Sequence, residues 1–288
     1  MYTVQWKIPP DDHDVRLDRF IRRKYQEIPL TGIFRLLRKG VIRVNGKKKK
    51  PAYRLQENDV VRVDIATRPS GPKKLIILSA EQKKTLATAL VFEDANIALY
   101  NKPPGLAMHA GSGHKYGFTE MIQAATRNPS FTFVNRIDKA TAGLVIGAKN
   151  KQAARNLSEL LRRHEVEKIY FTMVHGLVKE ETFTVSSFLK KEDTRVEEHA
   201  SEAQGAKKAE SLFTVIKRFA NNTTLLEARL VTGRTHQLRV QLANLSHPII
   251  GDTKYGGKKA KAMLLFSGRV VIDAYGIDVR LPLPEYFS

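Results

Sequence analysis

Apolar positions near the start of the chain follow a helical spacing. Leu17, Phe20 and Ile21 fall on one face of a segment over residues 15–23, while arginines occupy its other faces. Such a repeat is typical of an amphipathic helix that packs on a small core.

A second helix and two strands are predicted next. Thr31 is suited to cap a helix that runs to Leu37, and Gly40 is suited to end it. Residues 41–46 predict a strand that closes in an Asn-Gly turn, and residues 59–63 predict another strand. This order of elements resembles the RNA-binding module of the S-four type of ribosomal protein.

Beyond residue 80 the pattern alternates between strands and helices. Residues 91–100 predict a strand, a turn and a strand, and residues 191–210 predict an exposed hairpin or loop. Further strands are predicted at 168–174, 211–217, 225–230 and 270–273, and helices at 152–164 and 235–246. The balance indicates an α+β fold with a mixed, mostly antiparallel sheet flanked by helices and loops around a central cleft.

The composition of residues 66–74 marks a linker, because it combines two prolines with glycine and serine and lacks periodicity. We therefore predict a small N-terminal α/β module over residues 1–68, a linker over 69–79 and a larger domain over 80–288.

Charge narrows the range of partners. The 288 residues carry a formal net charge of +20, and residues 1–70 alone hold 17 Lys and Arg against 8 Asp and Glu. An excess of this size favours a polyanionic partner such as nucleic acid. A membrane-surface role would need a long basic amphipathic helix, which the pattern lacks.

Cysteine content and hydropathy exclude other classes. The chain has no cysteine, which rules out disulfides, thiolate catalysis and cysteine-based zinc sites. The first residues lack the apolar core of a signal peptide, and no apolar run approaches the roughly 20 residues that span a bilayer. We expect a cytoplasmic protein.

A single carboxylate stands out in residues 135–149. Asp138 lies between Arg136 and Lys139, just before a long apolar, β-prone run. A strand leaving such a loop can hold the carboxylate at the rim of a cleft. From the residues alone, Asp138 is either a catalytic acid or one half of a structural salt bridge.

A second dense cluster spans residues 232–240. Thr235 can cap the helix that follows, and three cations, Arg234, His236 and Arg239, cannot all be buried without partners. Asp138 is the candidate partner for Arg239.

The Pro/Gly-rich loop over residues 102–114 has backbone amides that could cradle phosphate. It lacks the ending of a P-loop. Its two histidines, His109 and His114, stand without a carboxylate in the loop, so we predict no metal site.

Five sequence blocks occur in the order found in a known enzyme family. Residues 135–138 with 141–144 closely resemble the His-Arg-Leu-Asp…Thr-Ser-Gly-Leu block of RluA-type pseudouridine synthases. The other blocks lie at residues 102–113, 167–170, 233–240 and 247–252. With the N-terminal module, the resemblance covers nearly the whole chain and looks most like the large-subunit ribosomal RNA branch, RluC/RluD-like.

This resemblance implies that uridine in RNA is isomerised to pseudouridine without a cofactor. Asp138 would be the catalytic carboxylate, acting either as a nucleophile or as a base on the ribose; both stay open. Arg239 would pair with Asp138 and keep it ionised. Tyr170 would stack on the uracil and offer its hydroxyl as a late general base, while Arg136 would replace the flipped base.

The resemblance also implies wider binding sets, with RNA as the partner of a monomeric enzyme. The residues expected to bind substrate are Arg136, Asn135, Leu265, Arg234, His236, Lys102 and His109. The cations expected to hold RNA phosphates are Arg19, Arg22, Arg23, Arg35, Arg38, Arg43, Lys47, Lys48, Lys49 and Lys50.

Two departures from the family pattern keep alternatives open. Asn135 replaces a histidine, and Phe266 stands where the family has another histidine. The alternatives are a synthase of the same family acting on transfer or messenger RNA, and a non-catalytic RNA-binding factor in ribosome assembly.

Overall fold

A computed structural model describes residues 2–66, 76–110, 116–193, 195–202 and 205–287. The chain forms two compact units, Met1–Leu75 and Ile76–Ser288. Most of the linker predicted over residues 69–79 lies outside the described residues, as does His114 of the Pro/Gly loop. Within the described part of the chain, no helix is both long and apolar enough to cross a membrane.

The smaller unit packs two helices on a three-stranded antiparallel sheet. Its strands, in the spatial order β1-β3-β2, and its helices are β1 Tyr2–Lys7, α1 Leu17–Lys24, α2 Leu30–Lys39, β2 Ile42–Val44 and β3 Val60–Ile65. Leu17, Phe20 and Ile21 of α1 are buried against the sheet, which confirms the predicted helix face. Strand β1 was not predicted, although it pairs with β3 along its whole length.

The ends of α2 show one wrong prediction and one correct one. Thr31 does not cap the helix. The N-cap is Pro29, whose backbone is extended (φ −63°, ψ 155°), and the helix already begins at Leu30. Gly40 ends the helix in the left-handed region at φ 76°. Asn45 and Gly46 have φ of 49° and 74°, which confirms the turn after β2.

In its described residues, the larger unit is built on one sheet of eleven strands. Its spatial order is β10-β9-β11-β12-β8-β13-β7-β5-β4, with β14 paired to β13 and β6 paired to β7. The strands are β4 Leu90–Glu93, β5 Ile97–Lys102, β6 Thr132–Phe133, β7 Ala142–Ala148, β8 Glu167–His175, β9 Thr182–Lys191, β10 Val196–His199, β11 Lys207–Phe219, β12 Thr223–Leu230, β13 Leu265–Ile272 and β14 Ile277–Arg280. The helices are α3 Ala80–Ala89, α4 Phe118–Thr126, α5 Lys151–Arg162 and α6 Gln237–Asn244. Among the described pairings, only β13 with β7 is parallel, so the predicted α+β class is confirmed.

The middle of this sheet is covered on both faces. In β5, Ala98 and Tyr100 pack in a cluster with residues of α3, α4 and α6, whereas Ile97 and Leu99 pack in another with residues of α5. Successive side chains of a strand point to opposite faces, so β5 and its neighbour β7 form the rigid centre of the unit.

Two local predictions in this unit need correction. The predicted helix over 235–246 begins at Gln237, because His236 adopts a left-handed backbone (φ 54°) and takes the N-cap position expected of Thr235. In the segment 191–210, predicted as an exposed hairpin or loop, β10 forms a hairpin with the end of β9, but Val196 and Ala209 are buried rather than exposed.

Candidate active site

A cleft of about 1290 Å³ lies in the larger unit. Ten residues were expected to act in catalysis or substrate binding, and all except Lys102 line this cleft. The nine are His109, Asn135, Arg136, Asp138, Tyr170, Arg234, His236, Arg239 and Leu265.

Asp138 lies in the loop that leads into β7. The Thr141 amide donates to the Asp138 carbonyl oxygen at 3.1 Å, which closes the turn. All seven positions of β7 are buried. Gly143 has φ +113°, and a Cβ there would lie 2.2 Å from the Ser267 carbonyl oxygen of β13. Close packing of the two strands thus fixes the loop that carries the carboxylate.

Lys102 supports this loop from within the protein. Its Nζ donates to the carbonyl oxygens of Pro103 at 2.9 Å, Leu106 at 2.9 Å and Lys139 at 3.2 Å. Burial lowers the pKa of Lys102 to about 8, although the charge of Asp138 opposes this shift. The expected contact of Lys102 with substrate is wrong, because the side chain is 0% exposed and its donors are used inside the protein.

Arg239, in the first turn of α6, joins two carboxylates. Its Nη1 donates to Asp138 Oδ2 at 2.9 Å, which is the pairing predicted from the sequence. Its Nε and Nη2 donate to Asp252 at 2.7 and 2.8 Å, a contact that was not predicted. Burial lowers the pKa of Arg239, but the hydrogen bonds to Asp252 and Asp138 outweigh burial and raise it above its ordinary value. The guanidinium therefore stays charged beside Asp138.

His236 faces Asp138, and its contacts favour one tautomer of the ring. The Val196 amide donates to the Tyr255 hydroxyl at 3.0 Å, and that hydroxyl lies 2.7 Å from His236 Nδ1. Because that hydroxyl already accepts from the amide, we infer that its own proton is donated to Nδ1, which places the imidazole hydrogen on Nε2, 3.7 Å from Asp138 Oδ2. Burial lowers the pKa of His236, Asp138 raises it, and Arg239 and Lys254 lower it, with a net decrease. The ring is neutral at pH 7.

Tyr170 of β8 lines the cleft. Its ring is buried, and its partner on the neighbouring strand β13 is Ser267. Burial raises the pKa of Tyr170 to about 12; the Ser267 bond lowers it and the charge of Asp138 raises it. The phenol is therefore neutral at physiological pH.

Comparison with known proteins assigns this arrangement to a family. The family model for RNA pseudouridylate synthases matches residues 96–244. Ribosomal large subunit pseudouridine synthase C of Haemophilus influenzae is 34% identical over 96% of this chain and 86% of its own length. The protein of the same name from Vibrio cholerae is 36% identical over 94% of this chain and 86% of its own length.

The chain belongs to the RNA pseudouridylate synthase family. Enzymes of this family are isomerases, so the predicted enzyme class is confirmed. A second family model, the S4 domain, matches residues 15–61, which confirms the predicted N-terminal module.

Solved structures agree on the fold. The human RNA Pseudouridylate Synthase Domain Containing 4 is 21% identical with a TM-score of 0.61, over 71% of this chain and 92% of that chain. The human RNA Pseudouridylate Synthase Domain Containing 1 is 23% identical with a TM-score of 0.58, over 67% of this chain and 82% of that chain.

The remaining cleft residues of this synthase differ in how strongly their side chains are held by other residues of the protein. Asn135 Oδ1 accepts from the Ile146 amide at 2.8 Å, so the side-chain oxygen of Asn135 anchors the loop to β7. Arg234 Nε donates to the Lys208 carbonyl at 2.9 Å. His109 Nδ1 lies 4.0 Å from Glu120. Arg136 is exposed on the cleft wall.

The cations expected to bind RNA lie on the surface of the S4 unit. All ten are exposed except Lys49, which is half-buried with its Nζ 4.4 Å from the Tyr53 ring centroid. Arg23 also pairs with Asp12 at 3.1 Å, and Arg43 donates to the Gly40 carbonyl at 2.9 Å. The unit therefore presents a surface rich in positive charge.

Three residues of the site were assigned no role from the sequence. Asp252 is the last residue of the recognised block over 247–252 and Tyr255 follows it, but their spacing alone gave no sign of their partners. Lys168 belongs to the recognised block over 167–170, two residues before Tyr170, and it also lines the cleft. Its period-two spacing from Tyr170 was the available signal, because residues i and i+2 of a strand share a face.

Proposed function

We propose that the protein isomerises uridine to pseudouridine in large-subunit ribosomal RNA, with Asp138 as the catalytic residue. The observation that carries the proposal is the carboxylate of Asp138, held 2.9 Å from the buried Arg239 guanidinium at the edge of a cleft lined by Tyr170. The names of the relatives support the choice of RNA.

The reaction rearranges one nucleotide and loses no atoms. The N1–C1′ bond breaks, a C5–C1′ bond forms, C5 gives up a proton and N1 gains one. No electrons are transferred, so the balance calls for no cofactor. Asp138 either bonds transiently to the substrate or removes a ribose proton; both routes need an ionised carboxylate.

The neighbours of Asp138 suit these demands. Arg239 provides a fixed positive charge that favours the ionised carboxylate. Tyr170 offers an aromatic face to the uracil. With its pKa raised to about 12, it is poorly suited to act as the general base suggested by the resemblance. We infer that its hydroxyl stays protonated and that water or Asp138 takes the proton from C5.

The target uridine must leave the RNA stack to reach the cleft. Arg136 is exposed on the cleft wall. We propose that its side chain fills the position that the uridine leaves in the RNA stack. The S4 unit would hold phosphates and position the RNA without reading its sequence. We propose a monomer that acts in the cytoplasm.

Assay of purified protein on transcripts of large-subunit ribosomal, transfer and messenger RNA tests the proposal. We expect pseudouridine in the ribosomal transcript and at least a thousandfold slower formation with Asp138→Asn, which keeps the size and hydrogen bonding of the side chain. Product only in transfer or messenger RNA would reassign the target. No product in any RNA would favour the binding factor in ribosome assembly.

A further inference from the structure

Lys168 is a buried cation on the wall of the cleft. Its side chain belongs to a residue that is 9% exposed, and it lines the cleft together with Tyr170. The two residues share a face of β8, because they are two positions apart in one strand. The amine therefore lies on the side of the sheet where the substrate is processed.

The other buried cations of the described larger unit have oxygen partners, whereas Lys168 has none. Lys102 donates to three carbonyl oxygens, and Arg239 donates to two carboxylates. No hydrogen bond or ion pair joins Lys168 to another described residue. Burial is the only influence that shifts the pKa of Lys168, which it lowers, so no nearby carboxylate offsets the burial.

The Lys168 amine remains open to the cleft. Among the described residues, the fully buried side-chain nitrogen and oxygen atoms without a hydrogen-bond partner are Thr141 Oγ1 and His199 Nε2. The Nζ of Lys168 also has no partner but is not fully buried, so it remains in contact with solvent in the cleft. Arg162, which also lines the cleft, is already paired with Glu159.

We propose that Lys168 forms a phosphate subsite, which binds a backbone phosphate of the RNA next to the flipped uridine. Removing a cation from water without a partner is costly, and an arriving anion offsets that cost. Every nucleotide of RNA carries such an anion, and an ammonium group offers three donors to it. The inference rests on the proposed function, because it takes RNA as the occupant of the cleft.

A structural role for Lys168 makes the opposite prediction for stability. Helix α5 ends at Arg162, and cations near the C-terminus of a helix are stabilising. If Lys168 served that purpose, its removal would lower the melting temperature. If it awaits a phosphate, Lys168→Met removes an uncompensated charge and leaves the melting temperature unchanged or higher.

The experiment compares full-length wild type with Lys168→Met, Lys168→Arg and the control Lys83→Met. Lys83 is an exposed lysine of α3 that does not line the cleft. Binding of a large-subunit ribosomal RNA transcript is measured against salt concentration, together with melting temperature, kcat and KM. The salt slope counts the phosphates that cations neutralise, at about 0.7 to 0.9 per phosphate.

For Lys168→Met we expect a salt slope smaller by about 0.7 to 0.9, a KM raised about tenfold, a smaller change in kcat and no loss of melting temperature. Lys168→Arg should restore most of the affinity, and Lys83→Met should behave as wild type. An unchanged salt slope for Lys168→Met overturns the phosphate subsite, even if the melting temperature or kcat of that variant falls. If wild type forms no pseudouridine, the proposed function fails, while the slope still decides whether Lys168 binds phosphate.

Discussion

Arg239 and Asp252 form a buried bidentate pair that leaves one guanidinium nitrogen for Asp138. The side chains of Arg239 and Asp252 are 9% and 1% exposed, and two parallel hydrogen bonds join them. The fork of an arginine fixes the direction of all its donors. Asp252 therefore aims the remaining donor of Arg239 at Asp138, although it lies 13 positions further along the chain.

We expect Arg239→Met to destabilise the protein and to remove activity. Breaking a buried ion pair leaves an uncompensated charge at Asp252, at a cost of about 3–5 kcal/mol. Arg239→Lys keeps the charge but loses the fork, so turnover should fall by about a hundredfold through misplacement of Asp138. Urea unfolding and single-turnover pseudouridine formation measure the two effects.

Arg269 provides the matched control. It also makes two hydrogen bonds to one carboxylate, Asp278, but the two side chains are 37% and 51% exposed. Solvent-exposed ion pairs contribute little to stability, so Arg269→Met should unfold at nearly the same urea concentration as wild type. Equal destabilisation by the two methionine variants would contradict the role given to burial.

The sequence was sufficient for the parts of the site that lie in contiguous blocks. Asp138 and Arg239 are 101 positions apart, and their pairing was predicted because an arginine in a dense cluster needs a carboxylate. Lys102 was wrongly expected to bind substrate, and Lys168 was assigned no role although its block was recognised. Period-two spacing shows that Lys168 shares a face with Tyr170, but whether a lysine meets substrate depends on its burial and on the oxygens around it, which local spacing does not reveal.

Tyr255→Phe should disturb the tautomer of His236 with little change in the fold. Without the hydroxyl, Nδ1 of His236 loses its donor, and the hydrogen is free to move from Nε2 to Nδ1. The lost bond is worth about 0.5–1.5 kcal/mol, so we expect kcat to fall up to about tenfold. Nitrogen NMR of His236 reports the tautomer directly. Tyr275→Phe, at an exposed tyrosine, is the control; an unaltered His236 spectrum in Tyr255→Phe would refute the assignment.

Lys102 should make stability depend on pH in the alkaline range. Its pKa is about 8 in the folded protein against an ordinary value of 10.5. Between these values the unfolded chain binds more protons, so this group adds stability as pH rises from 8 to 10.5, on the order of 3 kcal/mol. Below pH 8, Lys102 is charged in both the folded and the unfolded protein, and the full cost of burying its charge lowers the stability.

The measurement is the free energy of unfolding of wild type minus that of Lys102→Met, followed from pH 7 to 10.5. We expect the difference to move in favour of wild type above pH 8. The same comparison with Lys83→Met should stay flat, because Lys83 is exposed. A flat curve for Lys102 as well would mean that its pKa is ordinary in the folded protein.

The cations of α2 should contribute to RNA affinity through charge. Arg35 and Arg38 are exposed on this helix of the S4 unit. Replacing both by Gln should reduce the salt slope of RNA binding by up to about 1.8, because each phosphate contact contributes about 0.7 to 0.9. Arg54→Gln is the control, since Arg54 is already paired with Asp14 at 3.1 Å. A slope equal to that of wild type would remove α2 from the RNA-binding surface.

Gly143→Ala should separate strands β7 and β13 and so displace Asp138. The residue has φ +113°, and its Cβ would meet the Ser267 carbonyl oxygen at 2.2 Å. The clash is with backbone, which cannot rotate away, so we expect a loss of at least about 3 kcal/mol and a larger loss of turnover. Gly233→Ala is the matched control in the same cleft, because a Cβ there meets no atom within 4 Å. Urea unfolding and pseudouridine formation of the two variants should differ sharply; equal stability would show that β7 and β13 can move apart without cost to the site.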